Sequence, residues 1–205
     1  ASPTQTTTYT VTAKWGICTL TDNITINVLR KPIADAGNDV IICFDTTTEL
    51  RATASNLSGT VNFTWSPSNL LDTKADSTSV TVRPQEENTY YVVTVRDEYN
   101  CNFAVSDSVL VKMLPPVYAF AGNDTNAVLN KAHQLTATGA GAGGSYVWDY
   151  PSGVNLSDRT DDNPTAIFVP VPGIGEYSPI DTNYYWLSVT ATNAAGCKAT
   201  DSIRI

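Results

Sequence analysis

One closing segment occurs three times in this chain of 205 residues. The copies read "TTTYTVTAKWGICTLTDNITINV" at 6–28, "NTYYVVTVRDEYNCNFAVSDSVLV" at 88–111 and "TNYYWLSVTATNAAGCKATDSIRI" at 182–205. An opening segment occurs twice, as "ADAGNDVIICFDTTTELRATAS" at 34–55 and "AFAGNDTNAVLNKAHQLTATG" at 119–139. Self-similarity of this kind marks a repeat architecture, so the sequence predicts two complete units and one additional closing segment.

Apolar and polar residues alternate within each closing segment. The second copy has one alternating run at 91–95 and another at 105–111, with a polar turn between them. Period-two alternation predicts half-buried strands, and two such runs joined by a turn predict an antiparallel hairpin. With the strands upstream, each unit has about seven short strands separated by turn signals, which is typical of an immunoglobulin-like sandwich.

The repeat pattern divides the chain into three parts. Residues 33–113 and 117–205 are predicted to be complete domains, and residues 1–31 are predicted to be the C-terminal hairpin of a preceding, truncated repeat. A lone two-stranded hairpin is marginal in water. The alternative is therefore that residues 1–31 complete the sheet of a neighbouring molecule by strand addition.

Composition limits the partners and the compartment. A net charge of −8 opposes binding to nucleic acid or to anionic membrane surfaces, and it leaves cations such as calcium as plausible ligands. No apolar run is long enough to cross a bilayer. Four cysteines, none in a CxxC pair, fit disulfides better than zinc, which predicts an oxidising compartment outside the cytoplasm.

The motifs of the repeat resemble a known family. "ADAGND" at the start, "WSPSNLL" in the middle and "TYYVVTV" followed by "NC" and "SDSV" at the end look like the tandem PKD-type repeats of secreted surface proteins in Bacteroidota, which include gliding adhesins. The resemblance covers essentially the whole chain. It implies an all-β fold of tandem immunoglobulin-like sandwiches, export by the type IX system, and a non-enzymatic extracellular role as a stalk, surface filament or adhesin.

The same resemblance bears on the cysteines. Cys43 and Cys101 occupy the positions that form an intradomain bridge in such repeats. Val128 stands opposite Cys43 in the other opening segment, which leaves Cys197 without a partner in its own unit. The partner of Cys18 is expected upstream of the chain. Cys18 and Cys197 are therefore predicted to be unpaired or paired externally, either as a free thiol at Cys197 or as a Cys18–Cys197 bridge between two chains.

Two tryptophans stand at equivalent places ahead of a turn in the middle of each unit. Trp65 and Trp148 could act as stacking platforms for carbohydrate, since aromatic faces suit sugar rings. Both lie on an alternating strand, however, which favours the core tryptophan of a sandwich. Trp15 and Tyr99 fall in the hairpin turns and are the better candidates for an exposed ligand contact.

Acidic residues recur in the opening segments and hairpin turns. Calcium needs six to eight oxygen ligands, which aspartates and loop carbonyls at the domain junctions could supply. The candidate ligands are Asp35, Asp39, Asp97 and Asp124. The alternative is that these aspartates form turns or solubilise the surface. No recognised calcium-loop pattern accompanies them.

No catalytic constellation emerges from the sequence, which predicts that the protein is not an enzyme. His133 is the only histidine and lies on a predicted strand, without a nucleophile or a paired carboxylate at a suitable spacing. Asp107 and Asp201 recur after the late cysteines, with Asp22 in the remaining copy, and we interpret them as hydrogen-bonded strand entries.

The largest local difference between the two complete units is the insertion "PVPGIGEYSPID" at 170–181. Loops on rigid sandwiches carry binding variation, so this segment supports a second hypothesis, a module that binds surface glycans. A third hypothesis is an accessory region of a secreted hydrolase. The expected partners are neighbouring repeats of the same chain, surface glycans or another copy of the protein.

Overall fold

The fold was obtained as a computed structural model that describes residues 1–57, 59–68, 70–74, 76–98, 104–170 and 184–205. Every described element is a strand, and no described segment forms a helix that could cross a membrane. The strands are β1 (Thr7–Trp15), β2 (Cys18–Ile26), β3 (Ile33–Asp35), β4 (Val40–Ile42), β5 (Thr48–Arg51), β6 (Thr53–Ser55), β7 (Val61–Ser66), β8 (Asp72–Thr73), β9 (Ser79–Val82), β10 (Asn88–Asp97), β11 (Val105–Met113), β12 (Ala132–Gln134), β13 (Ser145–Asp149), β14 (Val154–Leu156), β15 (Thr165–Phe168), β16 (Trp186–Thr192) and β17 (Lys198–Arg204).

The chain divides into two compact units, Ala1–Met113 and Leu114–Ile205. In unit 1, one sheet has the strand order β4-β11-β10-β7. The strands β5, β9 and β8 form a second sheet, and β3 pairs with β6, which only Ala52 separates from β5. The opening segment thus begins beside β6 and ends beside β11, so it passes from one sheet to the other.

Unit 2 repeats the two main sheets of this arrangement. One sheet has the order β13-β16-β17 and the other the order β12-β15-β14. Phe120 and Thr138 form an isolated antiparallel bridge that takes the place of the β3–β6 pair. Two sheets packed over one core in each unit make tandem immunoglobulin-like β-sandwiches, and the predicted fold class is confirmed.

The alternating residues of the closing hairpins fill the cores. Val93, Val95 and Val109 are fully buried in unit 1, as are Leu187 and Val189 in unit 2. Successive side chains of a strand point to opposite faces, so a period-two pattern places one complete set of apolar residues inward. Each such valine or leucine stabilises its unit by about 1.5–3 kcal/mol relative to an exposed position.

Each core also contains one tryptophan that is held by a turn of the facing sheet. Trp65 is 8% exposed and Trp148 is fully buried. The indole Nε1–H of Trp65 donates to the carbonyl of Ser77, and that of Trp148 donates to the carbonyl of Asp161, both at 3.0 Å between N and O. Satisfying this donor allows a large aromatic ring to be buried without an unpaired polar atom.

The turn beside each tryptophan is organised by an aspartate. Asp76 Oδ1 accepts the backbone N–H and the side-chain hydroxyl of Thr78, and Asp158 Oδ1 does the same for Thr160. These hydrogen bonds, the backbone one first, favour the ionised carboxylate and lower the pKa of Asp76 and of Asp158 below the ordinary value of an aspartate. The two units therefore share a turn as well as a strand order.

The strands β1 and β2 form a sheet by themselves. They pair antiparallel from Thr7↔Ile26 to Trp15↔Cys18, around a turn in which Gly16 has a φ of 57°. The separation of residues 1–31 from the domain 33–113 stays a prediction.

Candidate functional site

The opening segment of each unit changes sheets at its Ala-Gly-Asn-Asp sequence. Gly37 and Gly122 make this change of direction with φ angles of 85° and 95°, a region that glycine adopts without the steric cost of a Cβ. A Cβ on Gly37 would lie 3.3 Å from the carbonyl oxygen of Arg51, and one on Gly122 would lie 3.2 Å from Ile203 Cδ1. The glycine is thus needed both for its conformation and for the close approach of its neighbours.

Two carboxylates fasten this segment to the closing strand in unit 1. The N–H of Ala36 donates to Asp107 Oδ2 on β11, with 2.8 Å between N and O. In the opposite direction, the N–H of Leu110 on β11 donates to Asp39 Oδ1 at 2.9 Å. Hydrogen bonds to an ionised acceptor are stronger than neutral ones. We call Asp39 and Asp107 the carboxylate pair of unit 1.

Unit 2 has the same arrangement. The N–H of Ala121 donates to Asp201 Oδ2 at 2.9 Å, and the N–H of Arg204 donates to Asp124 Oδ1 at 2.9 Å. Asp124 also forms an ion pair with the guanidinium of Arg204, with 3.4 Å between Oδ2 and Nε. Asp124 and Asp201 are therefore the carboxylate pair of unit 2. The sequence predicted hydrogen-bonded roles for Asp107 and Asp201, but it gave no sign that their donors lie in the opening segment.

The hairpin of β1 and β2 has the register of the two complete closing hairpins. In each one an aspartate pairs with a valine across the two strands: Asp22 with Val11, Asp107 with Val93, and Asp201 with Val189. Residues opposite each other on two strands point to the same face. The inner face of the hairpin is therefore the face that carries Tyr9, Val11, Ala13, Trp15, Leu20, Asp22 and Ile24.

This inner face is exposed, in contrast to its counterparts. Val11 and Ile24 are each 65% exposed, whereas the equivalent Val93 and Val109 are fully buried. Asp22 Oδ1 accepts the N–H of its own neighbour Asn23 at 2.8 Å. The opposite face of the hairpin carries threonines, including Thr8 and Thr25, whose hydroxyls lie 2.9 Å apart. The hairpin is thus an amphipathic sheet whose apolar side is open.

The predicted calcium ligands are not brought together. No group of three or more His, Cys, Asp or Glu side chains that could hold a metal occurs among the described residues. Asp39 and Asp124 belong to the carboxylate pairs, and Asp35 Oδ1 accepts the N–H of Gly37 at 2.8 Å. Asp97 is buried on β10, opposite Val61. One oxygen of each of Asp35, Asp39 and Asp124 therefore accepts a backbone hydrogen bond.

The predicted Cys43–Cys101 bond conflicts with the strand register of unit 1. Cys43 follows Ile42, which pairs with Met113 at the C-terminal end of β11. Cys101 lies outside the described residues, and the chain leads from it to Val105 at the other end of this nine-residue strand. The strand spans about 26 Å, and the chain from 101 to 105 reaches at most about 14 Å. Bonded cysteines hold their Cα atoms within about 7 Å, so the register does not allow this bond inside the unit.

The cysteines that the structure describes are in two states. Cys43 and Cys197 are each bonded in a disulfide, and Cys18 is an exposed free thiol. The expectation of a free thiol at Cys197 is therefore wrong. The alternative, a Cys18–Cys197 bridge between two chains, does not fit these states either, because Cys197 is already bonded and Cys18 is free. Disulfides form and persist in oxidising compartments.

Other candidate residues are placed as follows. Trp15 is 90% exposed, while Tyr99 lies outside the described residues. His133 is half-buried on β12, and its ring meets that of Phe168 edge to face, with 6.2 Å between centroids. Apart from Pro170, the insertion 170–181 also lies outside the described residues.

A cleft of about 380 Å³ lies at the end of unit 2 where β17 finishes. Its walls include Phe168, Tyr184, Tyr185 and the ion pair of Asp124 with Arg204. The guanidinium carbon of Arg204 lies 5.1 Å from the centre of the Tyr184 ring, within the range of a cation–π contact. The cleft thus combines aromatic faces with charged groups, a combination the sequence analysis did not identify.

Comparisons with known proteins add little to this description. No family model and no curated protein matches the chain. Among solved structures, it is similar to Sidekick-1 immunoglobulin domains 1–5 (TM-score 0.40, 11% identity), covering 85% of this chain and 38% of that one. It is also similar to the N-terminal eight Ig domains of the Down Syndrome Cell Adhesion Molecule (TM-score 0.45, 12% identity), covering 96% of this chain and 26% of that one.

A further similar structure is PcdhgB3 EC1-4 (TM-score 0.38, 10% identity), covering 98% of this chain and 57% of that one. The chain thus spans less than two thirds of each of these three structures. At TM-scores below 0.5, such likenesses do not indicate a function.

Removal of one member of a carboxylate pair is expected to destabilise its own unit. Asp107→Ala leaves the N–H of Ala36 without its charged acceptor, which should lower the free energy of unfolding of unit 1 by about 1.5–3 kcal/mol. Urea denaturation of the full chain measures this change. Asp22→Ala is the matched control, expected to change the stability by less than about 0.5 kcal/mol. Equal effects of the two substitutions would show that the contact with Ala36 does not stabilise the unit.

The cysteine states can be read by differential alkylation of protein isolated from the cells that produce it. Unfolded in denaturant without reductant, the chain is expected to be alkylated at Cys18 but not at Cys43 or Cys197. Both should become reactive after reduction, because only a free thiolate attacks the reagent. Peptide mapping without reduction would then identify their partners. Alkylation of Cys43 or Cys197 before reduction would contradict the disulfides.

Proposed function

We propose that the chain is a non-enzymatic part of an extracellular array of immunoglobulin-like repeats that acts as a stalk, surface filament or adhesin. The observation that carries this proposal is the carboxylate pair, because in both units it joins the opening segment directly to the closing strand. The beginning and the end of each unit are therefore held together by side-chain hydrogen bonds.

The position of this joint suits a protein under tension. β4 and β11 run parallel, with pairs from Val111↔Val40 to Met113↔Ile42. Force applied at residue 33 and at Met113 would pull β4 and β11 in opposite directions along their length. The backbone hydrogen bonds between the two strands would then bear the force at the same time as the hydrogen bonds to Asp39 and Asp107. A hairpin pulled apart from one end would lose its bonds one after another instead.

Several other features support a structural role outside the cell. Disulfides at Cys43 and Cys197 fit an oxidising compartment. The net charge of −8 disfavours nucleic acid and anionic membranes as partners. The resemblance of the "ADAGND" and "SDSV" motifs to PKD-type repeats supports an origin in a Bacteroidota surface protein exported by the type IX system.

Single-molecule force spectroscopy tests the mechanical role. Unit 1 of the full chain is expected to unfold in one step, and Asp107→Ala should lower the force of that step because it removes the hydrogen bond from Ala36, which is loaded together with the β4–β11 pair. Asp22→Ala, outside both carboxylate pairs, should leave the force unchanged. Unfolding of the unmodified unit at a force no higher than that of Asp107→Ala would count against the proposal.

The cleft of unit 2 favours a second function, the binding of surface glycans. Tyr184 lines it with a ring that is 62% exposed, and this residue directly follows residues 171–183, which contain most of the insertion predicted to vary in binding. Aromatic faces stack on sugar rings, and the Arg204–Asp124 pair offers donors and acceptors for hydroxyl groups. The glycan-binding hypothesis therefore has a concave surface whose lining includes the residue that follows this segment in the chain.

A glycan array separates this function from a pure spacer. If unit 2 binds glycans, the full chain should be retained on specific sugars, and Tyr184→Ala should reduce retention at least roughly tenfold, in line with the loss of one stacking contact. Tyr90→Ala is the matched control, because Tyr90 in unit 1 is 63% exposed and Tyr184 is 62% exposed. Absence of retention, or equal loss in both variants, would contradict a site in this cleft.

A further inference from the structure

The β13-β16-β17 sheet of unit 2 has an outer face, which points away from the core. Trp148 and Leu187 are fully buried, so Asp149 and Trp186, their neighbours in the same strands, point outward. Trp186 is 59% exposed there. A shallow cleft of about 430 Å³ lies beside it, and its lining includes Trp186, Asp149 and Tyr150. The outer face thus presents an aromatic ring at the side of a concave surface.

A row of polar side chains crosses the same face. Asp149 pairs with Ser188, and Ser188 pairs with Ser202, so the three side chains lie side by side on the three strands. Within the described ranges, none of these three side chains takes part in a hydrogen bond or an ion pair. In the next row, by contrast, the hydroxyls of Thr190 and Thr200 lie 3.1 Å apart and satisfy each other. The first row therefore offers one carboxylate and two hydroxyls to a ligand.

Unit 1 has a different row at the equivalent place. The residue after the core tryptophan is Asp149 in unit 2 and Ser66 in unit 1, and its partner on the central strand is Ser188 in unit 2 and Val92 in unit 1. The strands β11, β10 and β7 of unit 1 lie in the same order as β17, β16 and β13. The fold therefore forms without a carboxylate at this place, and the carboxylate is particular to unit 2.

The interval between the ring and the carboxylate suits one sugar unit. Trp186 and Ser188 are two residues apart on β16, a rise of about 6.7 Å. Asp149 lies diagonally from Trp186 across the two strands, at about 7–8 Å. A pyranose ring in this interval places its apolar C–H face on the indole, since aromatic faces suit sugar rings. Its hydroxyls then reach the carboxylate, which accepts their protons in charge-assisted hydrogen bonds.

The charges at the site favour a neutral ring. Asp149 and the net charge of −8 repel uronic acids and sulfated sugars. Arg204 pairs with Trp186 on the same face. Its guanidinium is engaged by Asp124, with 3.4 Å between Nε and Oδ2, and by the Tyr184 ring, 5.1 Å from its centre. The carboxylate of Asp149 is therefore the charged group that remains for a ligand, and it accepts hydroxyl protons.

We propose that the outer face of unit 2 binds a neutral pyranose unit of a glycan, with Trp186 stacked on the ring and Asp149 accepting its hydroxyl protons. Ser188 and Ser202 supply further hydrogen bonds. The proposal takes its ligand class from the glycan-binding function proposed above, but it places the sugar at a second site. No described residue that lines this cleft also lines the cleft of Tyr184.

The first test measures retention of the full chain on immobilised oligosaccharides of glucose, galactose, mannose and N-acetylglucosamine, with oligogalacturonate as the acidic probe. Retention is expected on a neutral probe and not on oligogalacturonate. Trp186→Ala should reduce it roughly tenfold or more, the loss of one stacking contact, whereas Trp186→Tyr keeps an aromatic face and should restore most of it. Tyr90→Ala is the matched control and should leave retention unchanged, because Tyr90 holds the same place in unit 1 and is 63% exposed.

The outcomes distinguish this site from the cleft of Tyr184. Retention that falls with Tyr184→Ala but not with Trp186→Ala would overturn the outer-face site and leave the cleft function standing. Absence of retention on every neutral probe would overturn both proposals. Stronger retention on oligogalacturonate than on any neutral probe would overturn the neutral ligand.

A double variant tests the polar row with the fold protected. Asp149→Ser combined with Ser188→Val gives unit 2 the residues with which unit 1 folds at the same places. Retention should fall roughly tenfold or more, because the charge-assisted hydrogen bond to the sugar is lost. The midpoint of urea denaturation should stay that of the unmodified chain. Unchanged retention in this variant would overturn the assignment of the carboxylate to the sugar.

Discussion

The hydrogen bond from the alanine of the opening segment to an aspartate of the closing strand is the contact on which the rest of each unit depends. The opening segment begins in one sheet and ends in the other, so it must cross the end of the sandwich without the regular hydrogen bonds of a strand. Asp107 and Asp201 receive the backbone donor at this crossing. Asp39 and Asp124 accept a donor from the closing strand in return.

This contact explains several features of the repeat together. The glycine after the alanine allows the chain to turn close to its neighbours, and the aspartate two residues further on reaches back to the closing strand. The closing aspartate is half-buried on the same face as the buried valines, and the backbone N–H of the opening alanine donates to one of its oxygens there. The motifs of the opening and closing segments therefore recur together because each satisfies the other.

The hairpin of β1 and β2 has the closing part of this contact without an opening segment. Its pairing register and its Asp22 match the complete units, yet its apolar face is exposed. Local sequence is sufficient to specify two strands, their turn and the residues that share a face. Burial of that face requires strands from elsewhere, and no property of residues 7–26 supplies them.

Particular residues show where sequence reasoning reached its limit. The alternation at 91–95 correctly placed Val93 and Val95 in the core, and the recurrence of Asp107 and Asp201 indicated hydrogen-bonded positions. The metal hypothesis for Asp39 and Asp124 did not anticipate that their oxygens accept backbone donors on a strand far along the chain. The pairing of Cys43 with Cys101 came from family resemblance, and it ignored that β4 lies beside the distal end of β11.

The sequence by itself determined the repeat, the strand periodicity and the register shared by the three hairpins, because these depend on residues a few positions apart. Only the tertiary structure decided which strands lie side by side and therefore which donors reach the carboxylates, where Cys43 stands and which apolar face stays open. The physical reason is that period-two alternation specifies a face of a strand but not its neighbour. Neighbours are selected by the packing of two sheets over a common core, a property of the whole unit.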